Sequence, residues 1–126
     1  MECPFCCPAL YEKLVVLENA YCLFLHAPEP VLVGSGIIIP REHRETVFEL
    51  TADELQATFA LLQEVRGLLD RQYSPDGYNI GWNCGRAAGQ EVAHAHLHVI
   101  PRYRDEPFAG HGIRYLLKQE ANRRPQ

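Results

Sequence analysis

Three histidines alternate with apolar residues in one short segment of the chain. Residues 94–100 read His-Ala-His-Leu-His-Val-Ile, and this alternation is typical of a β-strand, in which successive side chains point to opposite faces. We therefore predict a strand over residues 92–101 that carries His94, His96 and His98 on one face. A neutral imidazole is a good nucleophile and predominates at pH 7, because its ordinary pKa is about 6.5. The middle ring, His96, is the candidate nucleophile.

Two other interpretations of the same segment stay open. One is a surface strand whose polar side chains face solvent, although Thr, Lys or Glu would be more usual there than three imidazoles. The other is a metal site. Same-face neighbours on a strand lie about 7 Å apart at their Cβ atoms, so two of these histidines could reach one ion, whereas all three on a straight strand would be strained.

A loop rich in glycine and amide side chains precedes the histidines. It contains Asn83, Gly85, Gly89 and Gln90. Glycines let backbone N–H groups approach an anion closely, and amide side chains add neutral donors. Such a loop suits phosphate oxygens, although by itself a plain turn explains it at least as well. Together with the histidines, it favours phosphorus as the target of His96.

Two cysteines at the start of the chain, Cys3 and Cys6, form a C-x-x-C pair. Their spacing is that of a zinc knuckle, which needs two further ligands to close a tetrahedral site. Buried free thiols or a redox pair fit the spacing equally. Cys7 is adjacent and is a possible substitute ligand, whereas Cys22 and Cys84 are expected to be core thiols.

One long helix and several strands must position these residues. Thr51 and Glu54 fit a capping box that starts a helix, which should stop before Pro75. Its apolar face is predicted to consist of residues at helical spacing, namely Leu55, Phe59, Leu62, Val65 and Leu69. Strands are expected over residues 14–18, 20–25, 36–40, 78–84 and 92–101, with a helical turn over 45–50. The fold class is therefore α+β with an antiparallel sheet of about five strands, in a single domain over residues 1–126.

Composition and charge exclude several classes of function. The formal net charge is -4, from 12 basic and 16 acidic residues, which disfavours a nucleic-acid binder. No apolar run is long enough to span a membrane, and the first residues do not read as a signal peptide. Five cysteines, three of them within the first seven residues, do not resemble a secreted disulfide framework. We therefore expect a cytoplasmic protein.

The histidine segment and its surroundings resemble the histidine triad (HIT) superfamily. Residues 94–100 are similar to its His-x-His-x-His-x-x signature, and residues 38–43 to its strand followed by Pro-x-x-His. Residues 48–51 resemble the link into its long helix, and residues 83–90 and 98–102 also fall where the family places them. The resemblance covers most of the chain. It implies the HIT-like fold, and a homodimer in which two sheets join into one.

The resemblance also implies an activity and the roles of individual residues. The chain would be a nucleotide hydrolase or transferase that cleaves nucleoside phosphoramidates or dinucleoside polyphosphates, with a purine nucleotide as its small-molecule substrate. His96 would attack the α-phosphorus and form a nucleotidyl-histidine intermediate, which water would hydrolyse. His98 would hydrogen-bond a phosphate oxygen, and Asn83 and Gln90 would hold the phosphate and the leaving-group bridge. The backbone near His94 would orient the His96 ring.

Some members of the family also resemble this chain at the cysteines. In those proteins an N-terminal C-x-x-C pair, the Pro-x-x-His histidine and the first triad histidine bind structural zinc. The resemblance therefore implies a Cys₂His₂ site at Cys3, Cys6, His43 and His94. No organic cofactor is expected.

The sequence departs from the family in the region that precedes the strand at Pro40. The family often has Pro-Gly-His where this chain has residues 33–36, Val-Gly-Ser-Gly. It also has Asn or Asp, which binds the ribose hydroxyls, where this chain has Ala27. Ser35 and His26 lie at these departures and are included among the candidate substrate-binding residues, although His26 by itself also fits an ordinary loop histidine.

Two classes of function compete with the enzyme. A nucleotide- or partner-binding module could keep the fold with little turnover, since function resides in sites rather than in folds. A redox or metal-transfer protein centred on Cys3 and Cys6 would leave the histidine segment unexplained.

Overall fold

The computed structural model describes residues 3–26 and 29–125, which form one antiparallel sheet with a long helix on one face. The sheet has the strand order β1-β2-β3-β5-β4, with β1 (Val15–Glu18), β2 (Cys22–Leu25), β3 (Gly36–Pro40), β4 (Gly77–Trp82) and β5 (Leu97–Arg102). The helices are α1 (Pro8–Tyr11) and α2 (Ala52–Tyr73), and 3₁₀ turns cover Pro4–Cys6, Glu12–Leu14, Val47–Glu49, Arg86–Ala88, Ile113–Lys118 and Glu120–Asn122. The predicted α+β fold with about five strands is confirmed.

The ends of helix α2 follow the predicted signals. The hydroxyl of Thr51 accepts a hydrogen bond from the backbone N–H of Glu54 at 3.1 Å, and the Glu54 carboxylate accepts one from the N–H of Thr51 at 2.8 Å. This capping box satisfies two N–H groups that the first helical turn cannot pair. The helix ends at Tyr73, where Ser74 adopts a left-handed conformation with φ of 48°.

The buried face of α2 differs from the predicted one. Leu55 and Phe59 are 42% and 61% exposed, so the prediction that they pack in the core is wrong. The buried face shares Val65 and Leu69 with the predicted one, but its first half is displaced; it consists of Glu54, Thr58, Leu61, Val65 and Leu69. The two polar members are tolerated because both are paired: Glu54 with Arg44, and the Thr58 hydroxyl with the carbonyl of Glu54 at 2.7 Å.

Each face of the sheet has its own apolar cluster. Strand residues on the helix face pack against α2 and comprise Cys22, Phe24, Ile38, Leu97 and Val99. The opposite face carries Leu23, Leu25 and Ile39, which are covered by the N-terminal segment. Because side chains alternate along β5, His98 and Ile100 lie on this second face, opposite α2.

Three strands begin later than predicted, namely β1 by one residue, β2 by two and β5 by five, and β4 ends at Trp82 rather than at residue 84. Strand β5 starts at Leu97, so His94 and His96 precede it and only His98 belongs to a strand. His94 turns away because its ring packs among the N-terminal cysteines. Strand β2 starts at Cys22 because the Asn19 side chain accepts hydrogen bonds from the N–H groups of Tyr21 and Cys22, which makes a turn there.

No helix in the described part of the chain combines the length and the apolar character that crossing a bilayer requires.

Candidate active site and metal centre

The ring of His96 is held by one nitrogen. Its Nδ1 lies 2.8 Å from the carbonyl oxygen of His94, and since a carbonyl only accepts, Nδ1 carries the proton. The other nitrogen, Nε2, therefore has a free lone pair. The half-buried ring stands at the start of β5, where the chain leaves the bend around His94. A backbone carbonyl thus fixes both the tautomer and the orientation that a nucleophile needs.

His98 lies beside His96 and has an unsatisfied nitrogen. The two ring centroids are 4.9 Å apart. Among the residues that the structure describes, Nε2 of His98 is the one buried side-chain nitrogen or oxygen without a hydrogen-bond partner. Burial lowers the pKa of His98, and its electrostatic interaction with the neighbouring His96 lowers the pKa further, so the neutral form of His98 is favoured at pH 7. A buried polar atom without a partner is costly, by about 1–3 kcal/mol, and a bound oxygen would relieve that cost.

A groove of about 460 Å³ opens next to His98. Its walls come from the segment before β3, from β3 itself and from β5, and include Val31, Leu32, Ser35, Ile37 and Ile100. Most of this lining is apolar, and its polar members are Glu29, Ser35 and His98. The hydroxyl of Ser35 donates to the carbonyl of Leu32 at 2.7 Å, which holds this wall in shape.

The structure does not bring His26 to this groove. Its ring stacks on Phe24 and meets Tyr73 of α2, with centroids 6.0 and 6.2 Å apart, so it lies on the helix face of the sheet. Ala27, the position of the missing ribose ligand, lies outside the described residues.

The loop before the histidines is braced by Gln90. Its side-chain oxygen accepts from the N–H of Gly85 at 2.8 Å, and its NH₂ donates to the carbonyls of Glu45 and Val92 at 2.6 and 3.0 Å. The amide of Gln90 is therefore committed to the backbone. Asn83 is exposed and lies close to Gly89. Gly85 and Gly89 have φ of 90° and 97°, values that favour glycine.

Four ligand atoms meet behind the active site. The donor atoms of Cys3, Cys6, His43 and His94 all lie within 4.8 Å of one another. Nδ1 of His94 is 3.4 Å from Sγ of Cys3, and Nδ1 of His43 is 3.2 Å from Sγ of Cys6. Nε2 of the buried His94 donates to the carbonyl of Pro40 at 2.9 Å, so the lone pair on its Nδ1 points into the cluster. Two thiols and two imidazoles at this separation fit a tetrahedral zinc ion.

Phe5 connects the two groups of histidines, and sequence reasoning missed it. Its ring makes edge contacts with His94 and His96, with centroids 5.7 and 5.4 Å apart. The signal available was its place between Cys3 and Cys6. A second support is the N–H of Ala95, which donates to the carbonyl of Arg44 at 2.6 Å, while Arg44 pairs with the buried Glu54. The segment that carries His94 and His96 is thus fastened to both the N-terminal segment and α2.

Comparison with known proteins gives consistent matches. A family model described as HIT domain matches residues 10–105. An uncharacterized HIT-like protein of Methanocaldococcus jannaschii is 38% identical over 89 residues, which is 71% of this chain and 68% of that protein. The bis(5'-adenosyl)-triphosphatase of Saccharomyces cerevisiae is 34% identical over 105 residues, which cover 77% of this chain but half (50%) of the yeast enzyme.

A solved structure gives a similar result. The hypothetical histidine triad nucleotide-binding protein of Sulfolobus tokodaii has a TM-score of 0.72 at 27% identity, over 81% of this chain and 70% of that one.

Proposed function

The chain belongs to the HIT domain family, and on that premise we propose that it is a nucleotide hydrolase that works through a covalent nucleotidyl intermediate on His96. The substrates would be dinucleoside polyphosphates or nucleoside phosphoramidates of a purine. The yeast relative named as a triphosphatase supports this class of chemistry. The observation that carries the proposal is the orientation of the His96 ring, whose Nδ1 donates to the carbonyl of His94 and leaves Nε2 for attack. This ring lies against His98, which lines the groove of about 460 Å³.

In the first step, the lone pair on Nε2 of His96 forms a bond to the α-phosphorus. The bond from phosphorus to the leaving group breaks, and its electron pair leaves with that group. The His96 ring becomes positively charged, and its Nδ1–H already points at the carbonyl of His94, which stabilises this charge. In the second step, a water oxygen attacks phosphorus and its proton passes to solvent. The P–N electron pair returns to Nε2, and the nucleoside monophosphate is released.

His98 and the preceding loop would hold the phosphate while this occurs. Nε2 of His98 lacks a partner and would donate to a phosphate oxygen. Asn83 and the backbone of the loop would contact the leaving-group bridge. Gln90 would act through the loop, since its amide binds Gly85, Glu45 and Val92. Phosphoryl transfer depends mainly on such positioning and charge stabilisation.

The groove beside His98 would take the nucleoside. Its mostly apolar lining suits a purine base, and Ser35 and Glu29 are polar side chains on its wall that would meet the ribose. A site of a few hundred Å³ with few polar groups is typical of small-molecule sites.

Zinc would be held by Cys3, Cys6, His43 and His94. A zinc ion with four protein ligands is structural and stabilises the fold around it. Phe5 lies between the two cysteines in the chain, and its ring touches that of His96. By holding both cysteines, the zinc ion would also hold Phe5 against the His96 ring. Thiolate ligands persist in a reducing compartment, which supports a cytoplasmic location.

The experiment that tests the function is turnover of diadenosine triphosphate and adenosine 5'-phosphoramidate by the wild type and by His96→Ala. We expect hydrolysis that the substitution reduces to background, with nucleotide binding largely kept. A wild type that binds nucleotide without turnover would be a binding module instead, and activity unchanged by His96→Ala would exclude His96 as the nucleophile.

A further inference from the structure

The segment after β5 is fastened to the sheet by one arginine. We call residues 108–119 the C-terminal strap. The guanidinium of Arg102 donates to the carbonyls of Phe108 and His111 at 2.9 and 2.6 Å, and also to the side chains of Asn79 and Glu106. The side chains of Arg102 and Glu106 are only 18% and 10% exposed. The start of the strap is therefore anchored to β4 and β5.

From this anchor the strap runs along the sheet toward the active site. A Cβ on Gly112 would lie 3.7 Å from Nδ2 of Asn79, and Cδ1 of Ile113 lies 3.9 Å from the place of a Cβ on Gly81. Gly81 is the partner of His98 across the β4–β5 ladder. The strap thus reaches the same face as His98, on its β4 side, whereas the large groove lies on its β3 side.

Exposed aromatic and cationic side chains lie together on the strap. The rings of His111 and Tyr115 are stacked, with centroids 4.7 Å apart and planes at 24°, and Phe108 continues the row at 5.4 Å from His111. The recess around them has a volume of about 270 Å³ and is also lined by Arg114 and Lys118. Within the described ranges, neither of these two cations forms an ion pair with a carboxylate.

This combination matches the chemistry of a nucleotide. Aromatic faces stack on nucleobases, and free cations attract phosphates. Resting on the proposed function, we propose that the strap is a second nucleotide subsite, which binds the leaving nucleotide of a dinucleoside polyphosphate. Its base stacks on the Tyr115 and His111 pair, and its phosphates lie between Arg114 and Lys118. The retained nucleoside occupies the groove on the other side of His98.

The subsite makes dinucleoside polyphosphates better substrates than phosphoramidates with a small leaving group. The test therefore compares kcat/KM for diadenosine triphosphate and adenosine 5'-phosphoramidate, which share the retained nucleotide and differ in the leaving group. With Tyr115→Ala, kcat/KM for the dinucleotide should fall about tenfold, as expected for loss of one base stack, while the value for the phosphoramidate stays unchanged. Tyr115→Phe should restore the wild-type value.

A double variant, Arg114→Gln with Lys118→Gln, should lower kcat/KM for the dinucleotide and weaken its dependence on salt. Tyr21→Ala is the matched control, because Tyr21 is 45% exposed against 43% for Tyr115 and lies at the turn between β1 and β2. This control substitution should leave kcat/KM unchanged for both substrates.

Several outcomes would overturn the subsite. One is an equal loss of kcat/KM for both substrates in Tyr115→Ala, and another is no loss for either substrate. A third is a wild type that hydrolyses only the phosphoramidate. Strap variants that change the oligomeric state, measured by light scattering, would also overturn it and show that a second copy of the chain covers the strap. A wild type that hydrolyses neither substrate would instead defeat the proposed function.

Discussion

At the scale of single residues, two histidines are each oriented by a backbone carbonyl that binds one ring nitrogen and leaves the other to face a functional group or the substrate site. His94 donates through Nε2 to Pro40, and His96 donates through Nδ1 to His94. The alternation of the segment singled out both histidines, whereas His43 and His94 as partners of the two cysteines followed from the resemblance to the HIT superfamily; the four side chains lie together in the structure. Residue types and spacing did not indicate Phe5 or the backbone partners of Gln90, because these contacts depend on which distant segments the fold brings together.

The metal centre gives a prediction at this scale. We expect roughly one zinc ion per chain in protein purified without chelator, and loss of that zinc in Cys3→Ser, because two thiolates and two imidazoles close the site. The measurement is metal analysis by mass spectrometry, combined with thermal unfolding before and after chelation. Cys84→Ser is the control, since Cys84 lies outside the cluster and should keep the metal. A wild type without metal, with the same Tm with and without chelator, would refute the site.

At the scale of elements, local signals predicted the ends of α2 better than its buried face. The capping box and the stop before Pro75 depend on neighbouring residues, so they can be read from the sequence. Two adjacent stripes of α2 are apolar, one with Leu55 and Phe59 and one with Leu61 and Val65. The second is the buried one, and it also contains Glu54, which is tolerated there because it pairs with Arg44, a contact that helical spacing cannot reveal.

This difference between the stripes can be measured. Leu61 is fully buried, whereas Phe59 is 61% exposed. Leu61→Ala should lower the free energy of unfolding by about 2–5 kcal/mol because it leaves a cavity in the core. Phe59→Ala should change it by no more than about 0.5 kcal/mol. Urea unfolding of dilute protein provides both values. A larger loss for Phe59→Ala than for Leu61→Ala would mean that the helix packs by the other stripe.

At the scale of the whole molecule, one surface remains without a partner. Strand β4 is at the edge of the sheet, and its Ile80, which is 40% exposed, lines a recess together with Leu62 and Arg66 of α2. Leu55 and Phe59 on α2 are also exposed. An open strand edge next to an apolar surface favours pairing with a second copy. We therefore propose a homodimer in which two β4 strands join the sheets.

Ile80→Arg should convert this dimer to a monomer, because it places a charge in the apolar contact. Size-exclusion chromatography with light scattering gives the mass, and circular dichroism checks that the sheet is kept. Val16→Arg is the matched control, since Val16 is 44% exposed against 40% for Ile80 and lies on β1 at the opposite edge. Dissociation by Val16→Arg alone, or a wild type that is already monomeric at working concentrations, would argue against joining through β4.

The central claim is that Nε2 of His96 becomes bonded to phosphorus during turnover. The most direct measurement is to mix the protein with diadenosine triphosphate, stop the reaction without acid, and locate the added mass by peptide mass spectrometry. We predict that the mass of an adenylyl group is found on His96 and is absent in His96→Ala. An adenylyl group on another residue, or undiminished hydrolysis by His96→Ala, would contradict the account.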